Sequence, residues 1–473
     1  MRQALGHPQG MLAPRVRSRV GAQQQSARSF PSPDVTIYLL ALAAAFANWR
    51  LQEIIPGGKA LKLPVVTLAL AIVAFFTSRS LRDFPRVFKG PLKWVVVMTF
   101  IAIVGTPFAL IRSYAAIFLM YDFVPTLLLA LFTAAAIRSE RDARVVLQAL
   151  VLGGVIFGVY SRQHSYSEYG RPIGLIYYDA NDLALLLVST IAIAAGLAHT
   201  AKGLFARVFW SACAVIQLAV MLWTVSRGAF LSIVALLLYV MFSPIMPAAR
   251  RGAIIIISFV GIAVGGGSSY MDKMKTMLSP DKDYNFKEDS ENGRGAVWSR
   301  GMTYVWQRPI MGWGVRNYTS AEGHSKLAVE KAQMNKGHKW SRAHNSYLEI
   351  AVEMGLPGLA TFLALVFGSF VLFDQRLRKR RGSQTSDQKL SGYLAGAILS
   401  FAVGGFFLSG EYFPLLYVMI GVGVGLLSVT SEQTSTTSAA PEVWVRNQRN
   451  ARVRPVRNGM LAPARSTALT RRA

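Results

Sequence analysis

Apolar stretches long enough to cross a lipid bilayer recur from one end of this chain to the other, and that repetition constrains its fold more than any other feature. A helix that spans the hydrocarbon core needs about 20 mostly apolar residues, with a range of about 17–25. Twelve stretches approach or meet this: 35–51, 63–78, 94–111, 114–137, 145–161, 181–199, 206–225, 228–246, 253–270, 346–373, 390–409 and 412–429. Backbone polar groups inside a bilayer must be bonded within the protein, which leaves helices or closed barrels. Runs of this length select helices. The expected fold is therefore all-α and polytopic, with about twelve transmembrane helices. Only 16% of residues are charged, against about 25% in an average soluble domain.

The formal net charge of +27 invites a nucleic-acid partner, but its distribution argues against one. If the N-terminus is inside and each span reverses the side, Lys and Arg concentrate in the inside segments, as cytoplasmic loops of membrane proteins require. One orientation fits throughout, with twelve spans and both termini cytoplasmic. Ile37–Ala47 is short and ends in small residues, like a signal-peptide core. The basic region before it is long, so the expectation is an uncleaved first helix. Residues 1–33 and 431–473 read as basic, disordered cytoplasmic tails. Between them lie helices one to nine (34–270), a large outside loop (271–345) and helices ten to twelve (346–430). The single cysteine, Cys213, excludes an internal disulfide and any cysteine-rich metal site.

A loop of that length is usually functional or disordered. Its rings (Trp298, Tyr304, Trp306, Trp313, Tyr318, Trp340) argue for order and suit either the membrane interface or stacking on sugars. A helix is expected at about 295–307 and a turn at Arg308-Pro309. The outside segment 162–180 is too polar for the bilayer core and too apolar for a free loop, so it is expected to dip back into the protein.

Candidate chemistry gathers on this outer side. Arg227 interrupts two apolar runs, and arginine within a membrane span is costly unless it is used. Arg171 and Arg294 share its compartment. Guanidinium binds phosphate bidentately and keeps its charge, so three such groups suit a phosphate or diphosphate. Asn181 and Asp182 precede an apolar run, where helix caps are common. His344 begins the last part of the pattern, followed by Asn345, Glu349 and the intramembrane Glu353. An imidazole titrates near neutral pH and suits proton transfer.

These pieces resemble, in order, the signature of bacterial O-antigen ligases and the related Wzy-type polysaccharide polymerases. They are Arg171 through Asn181-Asp182, Ser226-Arg227-Gly228, Gly293-Arg294 with Trp298, Pro309-Ile310-Met311-Gly312-Trp313-Gly314, and His344-Asn345 followed by Gly355 and Gly358. The resemblance covers about 165–360. It implies an inner-membrane glycosyltransferase, independent of metal and cofactor, with a large periplasmic loop between spans nine and ten. The implied donor is a glycan on undecaprenyl diphosphate. The acceptor is either the next lipid-linked repeat, in a polymerase of exopolysaccharide or O-antigen, or the lipid A core, in a ligase; other export proteins are implied partners. The basic tails and extended length lean toward a polymerase. His344, Arg227 and Glu349 are the implied catalytic residues, with Glu349 orienting the imidazole. Arg171, Arg294, Asn345, Asn181 and Trp298 would bind diphosphate or glycan. A twelve-helix transporter is the non-enzyme alternative. It predicts substrate groups at the midplane and detectable repeats, whereas here the chemistry gathers at one face.

Overall fold

A computed structural model describes residues 34–438 apart from 59, 78–86, 89, 165–172, 174–177, 280–284, 286–291, 335–339 and 380–383. Among the described residues there is no strand. Helices occupy all twelve apolar stretches: α1 Val35–Trp49, α2 Leu63–Thr77, α3 Leu92–Gly105, α4 Arg112–Ala136, α5 Glu140–His164, α6 Ala180–His199, α7 Leu204–Trp223, α8 Arg227–Phe242 and α9 Ala248–Lys275, then, after the loop helices, α13 Ser346–Arg378, α14 Ser386–Gly405 and α15 Pro414–Ser438. The long loop contributes α10 Arg294–Gln307, α11 Tyr318–Gly323 and α12 Lys326–Gln333. By length and composition six helices can cross a membrane: α4, α5, α6, α7, the Ala248–Ser268 part of α9, and α13. The other stretches give shorter or less apolar helices. At a rise of 1.5 Å per residue, the 15 residues of α1 reach about 23 Å, short of a hydrocarbon core of about 30 Å.

α6 forms the centre of the bundle, packed against α5, α7, α8 and α14. Of its apolar window 83% is buried, against 6% for α9, which lies at the periphery against α7 and α8. Close helix approach depends on small residues, as is usual where helices associate in lipid. A side chain at Gly421 would meet the Ala130 carbonyl oxygen at 2.5 Å, and one at Gly154 would meet the Trp49 ring at 2.8 Å. Trp49 itself donates its indole N–H to the Leu150 carbonyl at 2.8 Å, locking α1 onto α5.

The loop is ordered around its own small core. Val297, Tyr304, Val305, Tyr318 and Ala321 pack against Ala343, Leu348 and Val352 at the start of α13. Of the rings expected at the interface or on a sugar, Trp306 and Trp340 are exposed, whereas Tyr304 and Tyr318 are buried within the loop. The reason is an ion pair that the rings enclose. Glu322, fully buried, accepts two hydrogen bonds from Arg300, both 2.9 Å, and one from the Tyr304 hydroxyl at 3.0 Å. The re-entrant reading of 162–180 falls mostly outside the described residues; within it, α5 continues to His164 and α6 starts at Ala180.

α13 is two helices joined at Gly355, whose backbone (φ 70°, ψ −176°) is not helical. The break leaves carbonyls without helical partners, and the loop supplies them. Trp313 N–H donates to the Val352 carbonyl at 2.8 Å and Gly314 N–H to that of Glu353 at 2.9 Å. In return, Leu356 N–H donates to the Pro309 carbonyl at 2.8 Å. The Pro309–Gly314 segment thus docks on the break like a short strap. This contact fixes where the loop sits above the bundle.

Candidate active site

The start of α13 is held from three sides. Asn345 is its N-cap, and its side-chain oxygen accepts from the backbone N–H groups of Tyr347 and Leu348, each at 3.1 Å. Ser346 donates through both its backbone N–H (3.0 Å) and its hydroxyl (2.7 Å) to the Leu408 carbonyl, and accepts from Gly410 N–H at 2.8 Å. Trp298, on α10, donates its indole N–H to the Ala343 carbonyl at 2.7 Å and sets its ring edge-on to Phe406. The residue so framed is His344, whose backbone is left-handed at φ 49°, an uncommon conformation for a residue with a side chain. The His344 backbone N–H donates to Glu349 at 3.1 Å, and Ser409 donates its hydroxyl to the same carboxylate oxygen at 2.6 Å.

Glu349 therefore orients His344 through the main chain. The expected bond to the imidazole is not among its contacts: the ring's Nδ1 is buried and has no partner among the described residues. Burial holds the His344 imidazole below its ordinary pKa of 6.5, with Asp179 and Glu349 opposing and Arg294 and Arg342 reinforcing that shift. The ring is therefore neutral near pH 7 and carries an unengaged nitrogen, as a general base requires.

Around it lies a group of charges from distant parts of the chain. Burial pulls the Arg342 pKa down, and Glu349, Glu411, Asp182 and Glu353 more than reverse the effect. Arg342 thus stays cationic among four carboxylates, all of them buried. Glu411, in the turn before α15, is pushed well above the ordinary carboxyl range by burial and then by Glu349. Its Oε2 and Asp182 Oδ1 have no bonded partner among the described residues. Glu353 is fully engaged, accepting from the backbone N–H groups of Arg316 (2.7 Å) and Tyr318 (3.1 Å) and from the Tyr412 hydroxyl (2.7 Å). It anchors the turn that follows the strap.

The sequence-derived candidates distribute as follows. His344, Glu349 and Asn345 come together, with Arg294 within electrostatic reach of the imidazole. Asn345 spends its side-chain oxygen as a cap and Trp298 its N–H on the frame, so both support the site's geometry. Arg227 opens α8 at the same end of the bundle, where neighbouring Gly228 packs on Phe407 and Leu408. Its guanidinium reaches outward to the Thr276 hydroxyl at 3.2 Å. Asn181 sits in the first turn of α6, and the cap there is Asp179, which accepts from Asn181 and Asp182 N–H at 2.7 and 2.8 Å. Arg171 lies outside the described residues. Sequence reasoning passed over Arg342, Ser409 and Glu411. Arg342 stands two places before His344 and carried a local signal; Ser409 and Glu411 are brought in by tertiary packing alone. Among the described residues no group of three or more His, Cys, Asp or Glu is disposed to hold a metal.

A search of curated proteins returns no match. Residues 212–363 match the family model described as O-antigen ligase. The matched stretch includes Arg227, Arg294, Trp298, His344, Asn345, Glu349 and Glu353, and leaves Arg171, Asp182 and Glu411 outside. The chain thus carries a stretch, 212–363, that matches the O-antigen ligase family, together with six helices long and apolar enough to cross a membrane.

Proposed function

We propose that this protein is a glycosyltransferase of the polymerase or ligase type, embedded in a bacterial inner membrane by twelve helices with both termini cytoplasmic. On this reading the His344 end of the bundle faces the periplasm and takes a glycan carried on undecaprenyl diphosphate. One observation carries it: a neutral, half-buried imidazole with a free nitrogen, set beside Arg294 and Arg342 within a stretch that matches the O-antigen ligase family.

His344 takes the proton from an acceptor hydroxyl as that oxygen bonds to the anomeric carbon. The bond from that carbon to the diphosphate oxygen breaks, and the diphosphate leaves with the electron pair. Arg294, Arg227 and Arg171 would supply positive charge to the leaving group, which stabilises it most where its charge is developing. Glu349 holds the His344 main chain, and Arg342 keeps the carboxylates beneath it compensated. Metal is not assigned a role.

The acceptor is the next lipid-linked repeat, which makes the protein a polymerase; the basic tails and extended length favour this. The ligase reading, with lipid A core as acceptor, is favoured by the description of the matched family. The glycan left on undecaprenyl diphosphate in a deletion strain separates them. Single repeats mean that polymerisation is missing. Long lipid-linked chains with none on lipid A mean that ligation is missing. Normal glycan on its normal acceptor would sink both.

A further inference from the structure

A cavity lies at the end of the bundle opposite His344. α6, α8 and α13 all start at the His344 end and run away from it, and their far ends, or the residues just beyond them, line this cavity. The 20 residues of α6 put the two ends about 30 Å apart, the thickness of a hydrocarbon core. The cavity measures about 890 Å³, and its lining among the described residues includes His199, Arg250, Arg251, Arg378 and Lys389 but no Asp or Glu. Arg250 and Lys389 have no bonded acceptor among the described residues. Together with Arg207 they lie within electrostatic reach of His199. Arg251 donates to the Met241 and Ser243 carbonyls at 2.7 and 2.8 Å, and its Nε is buried and unpaired. Arg378 is neutralised locally, by Asp374 at 2.6 Å.

Met246 lines this basic cavity and also a second, apolar one of about 600 Å³ between α6, α7, α8 and α9, walled by Leu218, Ile233, Leu236 and Ile257. Cationic donors thus open directly onto a greasy slot. Beside it, the outer face of α9 exposes Ile256, Phe259, Val260 and Val264. A soluble anion would use the first cavity and leave the second unused; an amphiphile fills both.

We propose that this is a binding site for an anionic phospholipid, its phosphate held by Arg250, Arg251 and Lys389 and one acyl chain lying in the slot. Basic pockets between transmembrane helices are a recognised setting for such headgroups. The site shares no residue with the candidate active site.

The test uses the full chain in detergent. Native mass spectrometry and thermal stability are measured with added phosphatidylglycerol, phosphatidylcholine or inorganic phosphate. Phosphatidylglycerol is expected to bind and raise the melting temperature, and the other two are not. The variant Arg250→Ser/Lys389→Ser should weaken phosphatidylglycerol binding by about 10- to 30-fold, the loss of two headgroup cations. Gly261→Trp should weaken it by narrowing the slot, at a position where an added Cβ meets nothing within 4 Å. Equal binding of phosphatidylcholine, or wild-type binding by the double variant, overturns the proposal. Inorganic phosphate that protects as well as the lipid does reassigns the cavity to a soluble anion and also overturns it. Glycosyl transfer measured on the same preparations reports separately on the proposed function, because its absence from a wild-type protein that still selects lipid touches only that reading.

Discussion

At the scale of single residues, the informative contrast is between two buried titratable groups outside the spans, pushed in opposite functional directions. Burial keeps His344 deprotonated below its ordinary 6.5, so if it is the base, the acid limb of the kcat/KM profile should fall below that value. His344→Gln keeps the size and polarity but not the basicity, and should lower kcat/KM by about 100-fold or more. A variant with full activity and an unchanged profile removes His344 from the mechanism. Glu411 runs the other way. Its folded pKa lies well above the carboxyl value of 4.5, so above that pH the unfolded chain releases a proton that the native state keeps. Its contribution to stability is complete below pH 4.5 and is lost as pH rises toward the folded pKa. Melting temperatures of wild type and Glu411→Gln, followed from about pH 5 to 8, should therefore diverge, with the glutamine variant gaining relative to wild type as pH rises. Parallel curves would mean that Glu411 titrates normally.

At the scale of elements, the broken helix α13 and its strap explain why two glycine-bearing motifs far apart in sequence occur together. Gly355 and Gly312 both have positive φ, 70° and 66°. A Cβ on Gly355 would collide with the Ile310 carbonyl, and one on Gly312 with that of Glu353. The Gly355 conformation is one that only glycine occupies readily, at a cost for other residues of about 1–3 kcal/mol. Gly355→Ala should thus lower stability by at least that much and release the loop. The expected readout is faster proteolysis between α9 and α13, with helix content retained; a variant as resistant as wild type would separate the strap from loop order. Glu322→Gln tests the loop from its other side. Leaving Arg300 without its buried carboxylate should cost about 3–5 kcal/mol, read as the same proteolytic opening without any change at Gly355. These elements also mark how far the sequence could be read. Helix positions followed from the lengths of the apolar runs, and the 295–307 helix from its flanking glycines and proline. The motif pieces were visible as pieces, but their interlock was not, because the backbone bonds joining Trp313 to Val352 and Leu356 to Pro309 leave no mark in composition. Nor did anything near Glu411 signal that its turn would return to the start of α13.

At the scale of the molecule, the arrangement turns on sidedness. The expectation of twelve spans came from the apolar runs and their orientation from counting Lys and Arg, and six helices meet the length and hydropathy for crossing. The shorter stretches need help from flanking turns or a locally thinner bilayer. Charge counting says which end faces inward but not which residues share an end. The fold supplies that: α9 ends at Lys275, beside the Arg227 contact with Thr276, while α6 ends at His199 next to the basic cavity. Asp272 and Lys202 are exposed at these opposite ends. The chain has one cysteine, Cys213, buried in α7, so a Cys213→Ser background leaves a clean surface for thiol labelling. In intact cells whose outer membrane has been made permeable, a maleimide that cannot cross the inner membrane should label Asp272→Cys readily. It should label Lys202→Cys only after lysis. Labelling of both from outside would put the two ends on one face, removing the transmembrane separation on which both the proposed periplasmic active site and the proposed lipid site depend. The reverse pattern would keep the separation and invert it, moving His344 to the cytoplasmic face and requiring a donor presented from inside.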